Sequence, residues 1–276
     1  MPLRVPVGDV TERSGWLVQG PAGWGEYSPL PSWSAAERAA AERAAIEAAT
    51  EPFPAPLRAR VEVNAMIPRV SPAVAADLAR ASGCRTVKIK VGDPASIDRV
   101  AAVRDAVGSG VRIRLDANAS WDLDTAAIAL AQMTAYDIEL IEDPVADLDQ
   151  MATFRRGSSV LIAVESSVRT VEDAARAARL GAADVIVLKP QRIGGATAAL
   201  RAAEAAGLPA IASSALETSV GLAMVLAVAA ALPNAPFAHG VGTALLLAAD
   251  VTDDPLVPVD GLLTPRRVAP SEASVD

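Results

Sequence analysis

From residue 61 onward the chain repeats one pattern: a short apolar, β-branched run, then an alanine-rich stretch carrying helix signals, then the next run. The runs are 61–65, 86–91, 111–115, 138–141, 160–164, 185–188, 209–212 and 236–238. Strands that alternate with helices predict a parallel α/β architecture, and eight is the number that closes a barrel. An open doubly wound sheet answers the same alternation, but no glycine-rich dinucleotide fingerprint follows the first strand. The punctuation agrees with the repeat. Ser71-Pro72 and Asp93-Pro94 each read as an N-cap followed by proline at the first helical position. Gly83, Gly108, Gly181 and Gly207 stand where helices should stop.

Residues 1–60 are organised differently. Gly15, Gly20, Gly23 and Gly25 break up short stretches around Trp16 and Trp24, which predicts a small sheet and a mobile loop, with Trp24 either a cap for the barrel mouth or a core-packing residue. Ser34-Ala35-Ala36-Glu37 is a capping box that opens a helix running to about Ala49, and Pro52, Pro54 and Pro56 then form a linker.

Several classes of function drop out on composition. The net charge is −8, with no lysine/arginine run and no basic–aromatic interleaving, so a nucleic-acid partner is not expected. The longest apolar run, 222–232, is too short to span a bilayer and reads as a buried helix. Cys84 is the only cysteine, so no intrachain disulfide can form. No secretory signal is visible at the start, which makes a cytoplasmic protein the expectation. With 276 residues, 51% of them hydrophobic, the chain can build one barrel-sized core and a small extra domain.

Chemistry enters at the strand ends. Lys90, Asp116, Glu142, Glu165, Lys189, Ser213 and His239 follow one another at intervals of 26, 26, 23, 24, 24 and 26 residues, about one βα unit each. In a barrel all seven rise from the C-terminal rim, where barrel active sites lie, although a lone histidine such as His239 reads first as a structural residue. Asp116, Glu142 and Glu165 would sit on three consecutive strands, and three close carboxylates cannot all stay ionised without a counter-charge. A hard divalent cation such as Mg²⁺ meets that need. The plainer alternative is three unrelated acids paired with Arg112, Arg114 or lysines. Lys88 and Lys90, two apart on one strand, point to the same face. A second ammonium beside Lys90 disfavours its charged form, which suits a general base. Lys189 would stand across the barrel. Such a set can take a proton next to a substrate carboxylate and hold the resulting enolate on a metal.

The motifs Lys88-Ile89-Lys90, Leu115-Asp116-Ala117-Asn118, Ile141-Glu142-Asp143-Pro144, Glu165-Ser166-Ser167 and Leu188-Lys189-Pro190 with Gly194-Gly195 resemble the muconate-lactonising branch of the enolase superfamily. The resemblance runs from about residue 61 to 250. It implies a modified (β/α)7β TIM-like barrel over 61–244 and a small α+β N-terminal capping domain over 1–60, completed by the tail 245–276. It implies Lys90 as base and Lys189 as the opposing lysine. Asp116, Glu142 and Glu165 would be ligands of Mg²⁺, with Mn²⁺ a possible substitute. Lys88, Arg114 and Asn118 are expected near the metal or substrate, and Ser213, Ser214 and Gly240 along the substrate side. Relatives usually carry Asp-Glu-Ser after the fifth strand, whereas this chain has Val164-Glu165-Ser166-Ser167-Val168-Arg169. Aligning on Val-Arg puts Glu165 at the ligand position; aligning on Glu-Ser puts Val164 there, which cannot bind a metal. The first alignment is adopted.

Within that branch, the short length and the tail from His239-Gly240-Val241-Gly242-Thr243 to Asp250 resemble enzymes of menaquinone synthesis. These dehydrate a succinyl-hydroxycyclohexadiene carboxylate, a small-molecule carboxylate. N-acylamino-acid racemase, dipeptide epimerase and muconate cycloisomerase share the ligands and differ in the pocket. A Schiff-base aldolase using Lys189, or a non-catalytic barrel, would be a different class.

Overall fold

The computed structural model describes residues 1–274. Four short strands come first: β1 (Pro2–Val7), β2 (Val10–Glu12), β3 (Trp16–Gly20) and β4 (Gly23–Tyr27). They pair as two antiparallel hairpins, and helix α1 (Ala35–Thr50) packs on the second. The capping box forms as the sequence predicts: Glu37 N–H donates to Ser34 Oγ and Ser34 N–H to Glu37 Oε2. Alanines 40, 41, 44, 45, 48 and 49 make the buried face of α1. Close approach is what they permit: a Cβ on Gly25 would lie 1.9 Å from the Ala45 carbonyl oxygen, and one on Gly20 2.4 Å from that of Ala49.

The repeat then unfolds as a barrel. Its wall is β6 (Asn64–Ile67), β7 (Thr86–Lys90), β8 (Arg112–Asp116), β9 (Ile138–Glu142), β10 (Leu161–Val164), β11 (Val185–Leu188) and β12 (Ala210–Ala212), all parallel and in sequence order. Between them run α2 (Pro72–Ala81), α3 (Ser96–Val107), α4 (Leu123–Met133), α5 (Leu148–Gly157), α6 (Val171–Arg179), the short α7 (Pro190–Ile193) and α8 (Ala196–Ala206). Helix α9 (Ser219–Ala231) follows β12 and is buried at every position, as its uncharged sequence demands. Alternation divides each strand between two environments. In β7, Val87 and Ile89 face the helices while Lys88 and Lys90 face inward. Leu140, Ala163, Val185, Val187 and Ile211, with Phe237 against them, fill the lower interior.

Three expectations need correction. The first run is divided: Val61 and Glu62 form a separate short strand, β5 (Val61–Glu62), which pairs antiparallel with β13 (Leu262–Leu263) of the tail, and the barrel strand begins at Asn64. No strand forms over 236–238. The ring is closed one step later by single parallel pairings, Val63 with His239 and Ser213 with Gly240. Pro233 and Pro236 lack the N–H a ladder needs, which keeps the preceding segment out of the sheet. Helix α3 starts at Ser96 instead of Pro94: Asp93 does accept from Ala95 N–H as an N-cap would, and its carboxylate also takes the Arg99 guanidinium, but residues 94 and 95 form a turn that leads into the helix. The four stop glycines all adopt positive φ, 61 to 70°.

A buried polar seam joins the N-terminal hairpin to the barrel. The Glu26 carboxylate on β4 accepts from Ser28 Oγ, from Thr218 N–H and Oγ, and from Gly221 N–H, so it serves the N-terminus of α9 from another part of the chain. Arg13 donates to the carbonyls of Ser28, Pro29 and Leu216. Glu217 accepts from Ala215 N–H through one oxygen, while its Oε1 and Gln191 Oε1 have no partner among the described residues. Burial, with Glu26 adding to it and Arg13 opposing, pushes the Glu217 carboxyl up to about 7.

A carboxyl raised in the native state contributes stability that is complete below about pH 4.5 and fades as pH climbs through about 7. Glu217→Gln should therefore flatten the pH dependence of the urea midpoint between about pH 5 and 8, by on the order of 1–3 kcal/mol across that range. Parallel profiles for parent and variant would place the titration elsewhere.

Candidate active site

Register sets the site. Lys90 pairs with Asp116, and Asp116 with Glu142, across three adjacent strands; Glu165 follows β10 directly and Lys189 follows β11. Inward-facing residues at one level therefore converge at one end of the barrel. Above them is a cavity of about 380 Å³. It is lined by Lys88, Lys90, Asp116, Asn118, Lys189, Ser213, Ser214 and Gly240 among the residues the sequence singles out. Val7, Gly8 and Val10 of the first hairpin and Leu30 close over it. Trp24 does not; it packs against the core beside the seam.

The floor of the cavity is a lattice of opposite charges. Lys88 Nζ lies 3.0 Å from Asp116 Oδ2 and 3.0 Å from both Glu142 oxygens. Lys90 Nζ donates to Asp116 Oδ2 at 2.7 Å and Asn118 Oδ1 at 2.8 Å. Lys189 Nζ donates to Glu165 Oε2 at 2.6 Å, and the other Glu165 oxygen accepts from Arg192 Nη1 at 2.8 Å. Burial opposes the charge on Lys88, but Asp116 and Glu142 outweigh it and raise its pKa. Burial likewise opposes the Asp116 carboxylate, and Lys88 and Lys90 together hold it well below the usual range. Lys189 and Arg192 do the same for Glu165. The expectation that Lys88 presses on Lys90 as an uncompensated like charge does not carry over, because two carboxylates already surround Lys88.

Some expected positions lie elsewhere. Arg114 is buried inside the barrel below the cavity, where it donates to Glu139 and the Ala238 carbonyl and sits 5.5 Å over the Phe237 ring. His239 does not reach the mouth. It is buried in the wall, its Nδ1 accepts from Ala212 N–H, and burial with the nearby Arg58 and Arg114 charges drops its pKa to about 3. The residue at the Ser213 level is Gly240, where a Cβ would lie 2.5 Å from the Ser213 hydroxyl.

Other residues belong to the site without having been singled out. Asp143, at φ 44°, accepts from Glu165 N–H and Ser166 N–H and so fixes the turn from which Glu165 projects. Burial, then the Glu165 and Glu142 charges, push its carboxyl up to about 7. Its place in Glu142-Asp143-Pro144 was visible; its brace was not. Arg192 stands one helical turn beyond Lys189, and that i,i+3 spacing was the available signal. Its Nε donates at 2.6 Å to Glu37 of α1, whose pKa falls to about 2: burial is outweighed by the Ser34 hydrogen bonds and by Arg192.

Among the described residues, no three acids or imidazoles are already gathered around one point. Asp116, Glu142 and Glu165 are each turned onto an ammonium. Their chemistry nonetheless suits a hard divalent cation: all three are buried oxygen donors on consecutive strands, and Asp116 and Glu165 each act on Glu142 as like charges.

Residues 72–270 match the family model described as enolase C-terminal domain-like, and residues 1–49 the one described as enolase N-terminal domain-like. The chain is 48% identical over 277 residues to the o-succinylbenzoate synthase of Thermobifida fusca (strain YX), covering 99% of this chain and 87% of the relative. It is 41% identical over 280 residues to that of Mycobacterium ulcerans (strain Agy99), covering 99% and 84%. Its fold is similar to that of the L-Ala-D/L-Glu epimerase from Bacillus subtilis, with a TM-score of 0.84 and 24% identity, over 98% of this chain and 94% of the other.

Lys88→Met removes the ammonium shared by Asp116 and Glu142 and leaves two buried carboxylates short of counter-charge. The expected loss is about 3–5 kcal/mol in urea denaturation. A millimolar divalent cation should restore more stability to this variant than it adds to the parent. Equal gains in the two proteins would show that these carboxylates do not take up the ion.

Proposed function

The chain belongs to the enolase superfamily, and from that premise we propose that it forms o-succinylbenzoate by dehydrating 2-succinyl-6-hydroxy-2,4-cyclohexadiene-1-carboxylate, a step of menaquinone biosynthesis. The observation that carries the reading is the pair Lys90 and Lys189, rising from β7 and β11 into one cavity floored by buried carboxylates. The full-length likeness to two o-succinylbenzoate synthases supports the choice of substrate.

Members of this superfamily generally use a divalent metal. Asp116, Glu142 and Glu165 would hold it, Mg²⁺ first and Mn²⁺ as substitute, and it supplies Lewis-acid stabilisation of negative charge on the substrate carboxylate. Lys90 Nζ takes the proton from the ring carbon that bears the carboxylate. The ring C–O bond breaks, hydroxide leaves with the electron pair, and proton and hydroxide together make up the water lost. Aromatisation drives the step. Lys189 stays an ammonium and faces the developing charge from the opposite wall. Ser213, Ser214 and Gly240 line the substrate side, and the hairpin turn 7–10 with Leu30 excludes water from above.

A racemase or epimerase of the same scaffold is the competing reading, because two lysines on opposite walls also suit proton transfer on both faces of a substrate. The two chemistries place different demands on Lys189.

Purified protein should convert the diene acid to the aromatic product and lose that activity in EDTA. Lys90→Arg should fall by at least about a thousandfold, since arginine does not deprotonate at working pH. Lys189→Arg keeps the charge and should retain measurable dehydration. Equal, complete loss in both variants, alongside racemisation of an N-acylamino acid, would favour the two-base chemistry. Glu142→Gln should be folded and inactive; full turnover by it in metal-free buffer would remove the metal from the mechanism.

A further inference from the structure

The proposed substrate carries two carboxylates, and the charged floor answers to only one. Most of the remaining cavity wall is apolar, as at Val10, Leu30 and Leu216, or bears neutral hydroxyls, as at Ser213, Ser214 and Thr243. One further cation lines it. Arg69 lies two residues past the end of β6 and lines the cavity.

Its situation differs from that of the lysines. Lys88, Lys90 and Lys189 each lie within 3.0 Å of a carboxylate. The Arg69 guanidinium is anchored instead on a backbone carbonyl, with Nε and Nη2 both donating to Val91 O at 3.1 and 2.6 Å. The nearest acid, Asp93, is 3.8 Å away and is already gripped by both terminal nitrogens of Arg99 at 3.1 Å. Nη1 of Arg69 makes no hydrogen bond to protein among the described residues. Gly92 keeps the place open: at φ 102°, a Cβ there would lie 2.3 Å from Ser120 Oγ and 2.8 Å from Arg69 Nη2. Ser120 commits its proton to the Ala117 carbonyl, so Arg69 is the donor in this notch. A guanidinium held by its inner edge, with Nη1 left over and only a long ion pair to an acid that Arg99 already holds, is prepared for an external carboxylate.

We infer that Arg69 receives the distal carboxylate of the substrate's succinyl arm, so that the site selects dicarboxylates; this rests on the dehydration reading above. The arm extends from the ring toward the β6–β7 side of the mouth. Arg69 is a specificity residue and takes no part in proton transfer. Its side chain is 39% exposed, so water screens the pair and the discrimination is moderate, roughly tenfold to a hundredfold.

The test compares the diene diacid with its distal monomethyl ester in the metal-loaded enzyme, and o-succinylbenzoate with its matching ester in calorimetric binding. The parent should prefer each diacid by tenfold or more in kcat/KM and in Kd. Arg69→Gln should collapse both ratios toward one, and Arg69→Lys should restore part of them. Equal losses for diacid and ester in Arg69→Gln would show that Arg69 only steadies the Val91 backbone, and overturn the inference. A parent that turns over the diene without preferring the diacid would also overturn it, leaving the dehydration intact. A parent that binds the aromatic diacid tenfold better through Arg69 but converts no diene would support the arginine and sink the dehydration.

Discussion

Placing several charged side chains together inside a barrel is tolerable only if opposite charges meet as they leave water, and that pairing organises this molecule. Asp116, Glu142 and Glu165 face Lys88, Lys90, Lys189 and Arg192. Removing one partner costs far more than the intact pair contributes, because the survivor stays buried and uncompensated. Strand register thus becomes part of the chemistry. Lys90 opposite Asp116 opposite Glu142 exists only in one alignment of β7, β8 and β9. A one-residue slip would send these side chains into the helix layer and bring Ile89, Leu115 and Ile141 to the interior.

The same logic extends outward. Glu165 is shared by Lys189 and Arg192, and Arg192 is shared by Glu165 and Glu37. The first turn of α1 is therefore tied by charge to the barrel rim. On the other side of the mouth, Arg13 donates to the carbonyl of Leu216, a cavity-lining residue at φ 68°. A branched side chain in that conformation costs of order 1–2 kcal/mol and needs outside support. Glu26, at the neighbouring N-terminus of α9, supplies a second tie. The N-terminal segment does more than cover the mouth; its buried charges hold both sides of it.

What could be read from the sequence was periodic. The alternation of runs, the capping box at Ser34, the stop glycines and the spacing of strand-end acids and lysines are local patterns, and each has its counterpart in the fold. What escaped was decided by tertiary partners. Asp93 read as an N-cap and does accept from Ala95 N–H, but it also binds Arg99 and the helix begins at Ser96. His239 stood at the right interval, yet pairing of Gly240 with Ser213 turned it into the wall. Arg114 shared a face with Asp116 but lay one level lower, on Glu139. Glu37 and Arg192 are 155 residues apart in the chain, so no local rule could join them. The choice between Glu165 and Val164 illustrates the boundary. Sequence offered two alignments; the strand's alternation buries Val164 among the core residues and directs Glu165 to the charged floor.

The environments of the two cavity lysines are unequal, and strand register is the cause. Lys189 donates to Glu165, a carboxylate, and no neutral acceptor for it is found among the described residues. Glu165 is shared there with Arg192. Lys90 has two acceptors of different kinds, Asp116 and the Asn118 amide oxygen. Asp116 in turn has Lys88 as a second counter-ion at 3.0 Å. Lys90 is thus held by one charged and one neutral acceptor, whereas Asp116 is held by two lysines of the same strand. Lys88 keeps Asp116 paired independently of Lys90. Two lysines on one strand, expected to repel each other, instead share a carboxylate that lies between them.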